Sequence, residues 1–218
     1  MPARVAFLLD VDNTLLDHDA VIEDYKRHLI EEFGEERQRR YWAIFEKRRA
    51  ELGYADYLGA LQGYRDENPR DPGALRMSFY LLDYPFAERL YPRALEVIRR
   101  LSSLGPTVIV SDGDVVFQPR KIERSGLYAA VQGRVLLYIH KERELDDVEE
   151  RCPADRYVLV DDKLRILTAV KEKWGARVTT VFPRSQGHYA RDPRILERYP
   201  VADVAVDRIG DLLERDLA

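Results

Sequence analysis

Residues 5–9 read Val-Ala-Phe-Leu-Leu, an apolar run of strand length, and polarity reverses at once into Asp10-Val11-Asp12-Asn13-Thr14. An uninterrupted apolar run suits a central parallel strand buried on both faces. In open α/β sheets, ligands bind outside the carboxyl ends of the strands. A buried strand ending in two carboxylates is therefore placed for chemistry. Side chains alternate along an extended chain, so Asp10 and Asp12 can point the same way, ~7 Å apart at two residues' rise. One carboxylate can then attack an atom while the other protonates the group leaving on its far side. Two close carboxylates also repel, and a bound cation relieves that repulsion. The same five residues also suit a strand end followed by a turn, where Asp, Asn and Thr bond their own backbone. A calcium loop of the EF-hand type is excluded, because its Gly position holds Leu15 and its closing Glu position holds Val21.

From Asp17 to Tyr91 the pattern is helical. Val21, Tyr25, Leu29 and Phe33 recur every four residues, and Gly34 follows as a stop. Tyr41 to Leu52 and Tyr54 to Glu67 predict two further helices. Asp71 as cap and Pro72 at the first helical position predict a fourth through Leu82. Thirteen of the 22 aromatic residues lie in this stretch, which is how a small helical unit builds a core. Tyr54 and Tyr84 are candidates for lining a pocket instead.

After Tyr91 the pattern becomes strand–helix alternation. Strands are expected at 107–110, 135–139, 157–160, 178–182 and 204–206, and helices at 92–104, 118–125, 142–151, 164–174 and 209–217. That alternation predicts a Rossmann-like, doubly wound parallel sheet with helices on both faces, an α/β fold. The expected organisation is a core of residues 1–16 and 92–218 with an all-helical cap, 17–91, inserted after the first strand. Four strands then end in polar groups at one sheet edge: Asp10 and Asp12, then Ser111, then Lys141, then Asp161 and Asp162.

This ordered set resembles the haloacid dehalogenase superfamily over nearly the whole chain. Motif one is Asp10-Val11-Asp12-Asn13-Thr14, motif two the strand ending at Ser111, motif three Lys141, and motif four Asp161-Asp162. The resemblance implies that Asp10 is a nucleophile forming an aspartyl-phosphate and Asp12 the general acid and base. It implies that Ser111, Asp112 and Lys141 bind the phosphoryl group. It further implies magnesium held by Asp10, the carbonyl of Asp12, Asp161 and Asp162. Lys141 is followed by Glu142 where the family commonly has Pro, and motif four lacks a leading Gly. The name-giving dehalogenases lack the second Asp, present here as Asp12. The expected activity is hydrolysis of a small phosphorylated metabolite. The alternatives are a sugar-phosphate mutase or phosphotransferase with the same first steps, and a non-enzymatic phosphoryl-binding regulator of the receiver type.

The remaining residues narrow the class. A net charge of −4 gives no support to nucleic-acid binding by a basic surface. No run approaches the ~20 apolar residues that span a bilayer. No secretory leader is evident, and a lone Cys152 cannot form an internal disulfide, so a cytoplasmic protein is expected. His18 is expected on an exposed turn, and Arg184 and His188 on a surface loop. Arg48, Arg49 and Arg65 are expected on solvated helix faces.

Overall fold

The computed structural model describes residues 2–217. Strand β1 (Ala3–Leu9) is followed by four helices, α1 (His18–Phe33), α2 (Glu35–Leu52), α3 (Tyr57–Glu67) and α4 (Gly73–Asp83). Then come α5 (Ala94–Leu104), β2 (Thr107–Asp112), α6 (Phe117–Arg124), α7 (Leu127–Ala130), β3 (Val135–Tyr138) and α8 (Leu145–Arg151). The chain closes with β4 (Ala154–Val160), α9 (Leu164–Trp174), β5 (Val178–Pro183), α10 (Pro193–Arg198) and β6 (Val204–Val206). The six strands form one sheet in the order β3-β2-β1-β4-β5-β6, and every pairing is parallel. This is the expected doubly wound α/β sheet. Among the described residues, no helix is long and apolar enough to cross a membrane.

Period-two alternation divides the apolar runs between the two faces. Val5, Phe7 and Leu9 of β1 point to one face with Val158 and Val160 of β4, and are covered by α5, α6 and α7. Ala6 and Leu8 point to the other with Tyr157 and Leu159, under α8 and α9. A strand with a side chain buried on each face has no polar alternation to show, which is why β1 reads as an unbroken apolar run. The first apolar cluster continues without a gap into Tyr25, Leu29, Tyr41 and Phe45 of the helical segment.

Local chemistry sets the boundaries. Asp17 caps α1 by accepting from the Ala20 amide at 3.0 Å, and Asp56 caps α3 through the Gly59 amide at 2.8 Å. Gly53 ends α2 in the left-handed conformation at φ 78°. Asp71 does accept from Gly73 at 2.8 Å, but Pro72 is the cap residue and α4 begins at Gly73, one position later than expected. Arg93 adopts φ 67°, so α5 starts at Ala94 and not at Pro92. The segment expected as one helix over 142–151 divides into a 3-10 turn (Lys141–Arg143) and α8, with non-helical Glu144 between them. The final helix is a 3-10 segment, Ile209–Glu214, and α10, capped by Asp192 with Pro193 in its first turn, is a helix additional to those expected. Tyr84 is a core residue, whereas Tyr54 lines the main cavity.

The two passages between sheet and helical segment lie side by side. Leu16 and Leu90 form an antiparallel bridge, the Asp17 amide donates to the Arg89 carbonyl at 2.8 Å, and the Tyr91 amide donates to Leu15 at 2.9 Å.

Gly105 marks where α5 turns into β2, and a Cβ there would collide with the Val5 carbonyl oxygen. Overpacking of this kind costs about 1–3 kcal/mol. Gly105→Ala should lower the urea midpoint by the corresponding amount without changing the m-value; an unchanged midpoint would contradict this close approach of α5 and β1.

Candidate active site

The carboxyl ends of β1, β2 and β4, with the start of the 3-10 turn after β3, meet at one point. Asp10 follows directly from β1, its amide donating to Val160 at 3.0 Å, and it is 2 % exposed. Immediately beyond, the chain curls: the Val11 carbonyl accepts from the amides of Thr14, Leu15 and Leu16, and Asn13 takes φ 60°. Asn tolerates that left-handed conformation better than most residues. The curl returns the Thr14 hydroxyl to Asp10, 3.4 Å away, and lets the same oxygen accept from the Asp162 amide at 3.1 Å. Gly187 packs against this turn so closely that a Cβ would come within 2.5 Å of Asn13 Cβ.

Lys141 is the cation at the centre. Its ammonium donates to Asp10 Oδ1, donates to the Val110 carbonyl at 3.0 Å, and lies 2.7 Å from Asp161 Oδ2. Burial opposes the Lys141 charge, but Asp10, Asp161 and Asp112 together hold its pKa above the ordinary value. Ser111 donates to Asp10 Oδ1 at 3.2 Å. The Asp112 carboxylate is turned to the main chain, accepting from the Lys141 amide at 2.7 Å, so its side chain positions Lys141.

Asp161 and Asp162 differ in their partners. Asp161 accepts from the Lys163 amide at 2.8 Å. Both carboxylate oxygens of Asp162 are buried without a hydrogen-bond partner. Burial pushes both carboxyl pKa values upward, and the neighbouring carboxylates add to it. Asp10, Asp161 and Asp162 bring ligand oxygens within 4.8 Å of one another. Orphaned, mutually repelling oxygen ligands with no His or Cys among them fit a hard divalent cation. The Asp12 side chain is not part of this cluster; only its main-chain carbonyl is left for the role expected of it.

Asp12 faces a cavity of about 880 Å³ between the sheet edge and the helical segment. Lys121 grips it through both oxygens, at 2.6 and 2.8 Å. Burial raises the Asp12 pKa, yet Lys121, and His18 when protonated, pull it well below the usual carboxylate range. Gln118 joins Lys121 to Ser111, accepting from the ammonium at 2.7 Å and donating to Ser111 Oγ at 3.0 Å. Gln118 and Lys121 were not singled out from the sequence. The available signal was a lysine at a helix position between Phe117 and Ile122, both of which are buried.

His18 is not on an exposed turn. It begins α1, lines the cavity, and pairs through Nε2 with the Tyr57 hydroxyl at 3.0 Å. Its Nδ1 lies 3.7 Å from Asp12 Oδ1. His188 also lines the cavity and contacts Asp19 at 2.7 Å, while Arg184 is exposed and pairs with Asp207. Arg49 reaches Tyr189 across the cavity mouth at 2.8 Å, and Lys163 lies over the Tyr189 ring. Arg48 pairs with Asp56 at 2.6 Å. Cys152 is buried and its thiol pKa is raised by that burial, so it carries no nucleophilic role.

Burial lowers the His18 pKa to about 4 against the opposing pull of Asp12. His18 should therefore stay neutral throughout the physiological range. A carbon-detected histidine titration should show one imidazole resisting protonation until well below pH 6; assignment of an ordinary midpoint to His18 would contradict its burial.

Proteins of known structure share this fold. A haloacid dehalogenase-like hydrolase of Burkholderia xenovorans LB400, described as such from a 2.20 Å crystal structure, is 63 % identical, with a TM-score of 0.94 over 99 % of this chain and 97 % of that one. The magnesium-bound HAD-hydrolase YfnB of Bacillus subtilis superposes with a TM-score of 0.61 at 19 % identity, covering 98 % of each chain. A protein described as a dehalogenase superposes with a TM-score of 0.62 at 20 % identity, covering 98 % of this chain and 97 % of that one. At such identities these last two show the fold alone. No curated protein matches the chain. The sequence model of the haloacid dehalogenase-like hydrolases matches residues 5–178, and with the parallel sheet and its acidic edge in place, the chain belongs to that family.

Proposed function

We propose that the protein is a magnesium-dependent phosphohydrolase that cleaves a small-molecule phosphomonoester through an aspartyl-phosphate on Asp10. The observation that carries this reading is the division of labour among the carboxylates. Asp10 sits against Lys141 and Ser111, Asp162 presents two unpartnered oxygens beside it, and Asp12 faces the cavity. A dehalogenase needs a carboxylate nucleophile, but neither a cation site nor a second acid two residues on. Residues 17–91 act in this reading as a cap, closing the cavity over residues 1–16 and 92–218. The acidic chain and its single cysteine suit a cytoplasmic enzyme.

Phosphoryl transfer depends on charge neutralisation and in-line positioning more than on covalent ingenuity. Lys141 and the Ser111 hydroxyl bind phosphoryl oxygens, and the main chain after Ser111, at Asp112, adds to that cradle. Asp10, Asp161, Asp162 and the Asp12 carbonyl would hold the cation, which supplies neutralising charge to the phosphoryl oxygens. The negative charge of the bound phosphomonoester raises the affinity of Asp12 for a proton, which it takes up as the substrate enters. A carboxylate oxygen of Asp10 then forms a bond to phosphorus as the bond to the ester oxygen breaks, and Asp12 gives that oxygen its proton. Asp12 then takes a proton from water as the water oxygen attacks phosphorus, and the Asp10 carboxylate leaves. Acid and base steps alternate on one residue, so its proton is restored at each turnover.

Two outcomes test this. Phosphate release, screened over phosphorylated metabolites, should stop after exhaustive chelation and return with magnesium, and Asp10→Asn should abolish it while leaving the fold intact; full turnover without metal or with Asp10→Asn would refute the reading. Asp12→Asn should slow alkyl phosphates by roughly 10²–10⁴-fold but give nitrophenyl phosphate a stoichiometric burst followed by slow turnover. Rapid-mixing absorbance reads that burst. Wild-type rates on alkyl phosphates would remove Asp12 from the mechanism.

A further inference from the structure

The phosphohydrolase reading assigns no task to Gln118 and Lys121, yet they are 2 % and 1 % exposed and lie between the two reacting aspartates. An ammonium has three donors and no acceptor. Lys121 directs them to Asp12 Oδ1 at 2.6 Å, Asp12 Oδ2 at 2.8 Å and Gln118 Oε1 at 2.7 Å. A neighbour that can only donate fixes which way the Gln118 amide faces. Its Nε2 must then point away from Lys121, where it donates to Ser111 Oγ at 3.0 Å and approaches Asp12 Oδ2 at 3.4 Å. With that lone pair engaged, Ser111 turns its own proton to Asp10 Oδ1, 3.2 Å away. The chain of contacts from Asp12 through Lys121, Gln118 and Ser111 to Asp10 is unbroken.

Three further features suit a dedicated arrangement. Lys121 Nζ rests 5.0 Å from the centre of the Phe117 ring, so its charge is held from below as well as in front. Gly113 lacks a Cβ where one would come within 2.6 Å of Gln118 Cβ, which lets α6 bring the amide up to the end of β2. A buried ion pair is also a poor route to stability, since a well-packed apolar side chain commonly does as well or better. Positioning is what the apolar alternative could not supply.

We propose that Gln118 and Lys121 are positioning residues, which set the Asp12 carboxylate and the Ser111 hydroxyl in fixed relation to Asp10 so that proton transfer and phosphoryl binding stay aligned. Neither forms or breaks a bond in the proposed reaction. Lys121 acts through Asp12, and Gln118 acts through Ser111. The proposal rests on the phosphohydrolase reading for its catalytic consequence, while the geometry it claims can be measured without turnover.

The test is a double-mutant cycle of Lys121→Met with Asp12→Asn, on whichever alkyl phosphate the wild type hydrolyses and on nitrophenyl phosphate. Lys121→Met should lower kcat on the alkyl phosphate roughly a hundredfold with little change in KM, and slow the first step on nitrophenyl phosphate far less. In the Asp12→Asn background the same change should cost less than about threefold, because the group it positions no longer transfers a proton. A purely structural lysine would instead depress both substrates alike, and its effect would multiply with that of Asp12→Asn; that outcome overturns the proposal. Gln118→Leu leaves the ion pair intact and repeats the cycle against Ser111→Ala, should Lys121→Met not fold. Crystal structures of wild type and Lys121→Met supply the second readout. An Asp12 carboxylate and Ser111 hydroxyl that keep their places without Lys121 also overturn the proposal, whereas displacement of either supports it. A wild type that releases no phosphate from any substrate would refute the proposed activity, and the structural comparison would still decide the positioning role.

Discussion

Repulsion among carboxylates, answered at closest range by the buried Lys141 ammonium, is the constraint on which this structure turns. Asp10, Asp161 and Asp162 crowd oxygens within 4.8 Å of each other in a site with almost no solvent. Unpaired charges in such surroundings are prohibitively costly. Lys141 offsets part of that cost by contacting Asp10, Asp161 and a main-chain carbonyl at once. Asp112 in turn fixes Lys141 by its main-chain amide, so even a carboxylate that faces away from the cluster serves the cation. Lys163 offsets part of the Asp162 charge from a distance, but both Asp162 oxygens stay without a hydrogen-bond donor, and that is the demand for a further positive charge.

The sheet order makes that crowding possible. β1 lies between β2 and β4, so the groups at the ends of the three strands emerge next to one another although Ser111 stands 101 residues after Asp10 in the chain and Asp161 lies further on still. A parallel sheet sends every strand's carboxyl end to the same edge, and the order 3-2-1-4-5-6 puts the first strand at the point where the winding reverses. The apolar interior of β1 and the acidic residues after it are therefore one design: the strand must be buried on both faces for its end to be surrounded on both sides.

Much of this was legible in the sequence because it rests on local signals. Apolar runs of strand length, helical periodicity and a glycine after a helix predict the α/β sheet, and each strand-terminal acid or base is visible as an abrupt change of polarity. Helix starts were misplaced where a single backbone angle decided them, as at Arg93 with φ 67°. Lys121 was invisible for another reason. In an amphipathic α6 a lysine reads as solvent-facing, and only the fold brings Asp12, 109 residues away, to meet it. His18 was misjudged in the same manner, since its burial depends on Tyr57 arriving from a different helix. Properties of one segment can be read from that segment; partnerships between segments cannot.

The adjacency of the two chain passages at Leu16 and Leu90 has a consequence for how such a protein can change over time. Everything between them leaves and re-enters the sheet region through neighbouring points tied by Asp17–Arg89 and Leu15–Tyr91 backbone bonds. Lengthening a loop whose ends already meet adds only about 0.6 kcal/mol per doubling. Evolution can therefore enlarge, shrink or replace the helical segment at little topological cost, the real barrier being the apolar contacts that Tyr57 and Phe86 make with Phe117. The acidic groups all stand on the sheet side of those two passages, so a change of length between residues 17 and 91 leaves their strands and their spacing untouched.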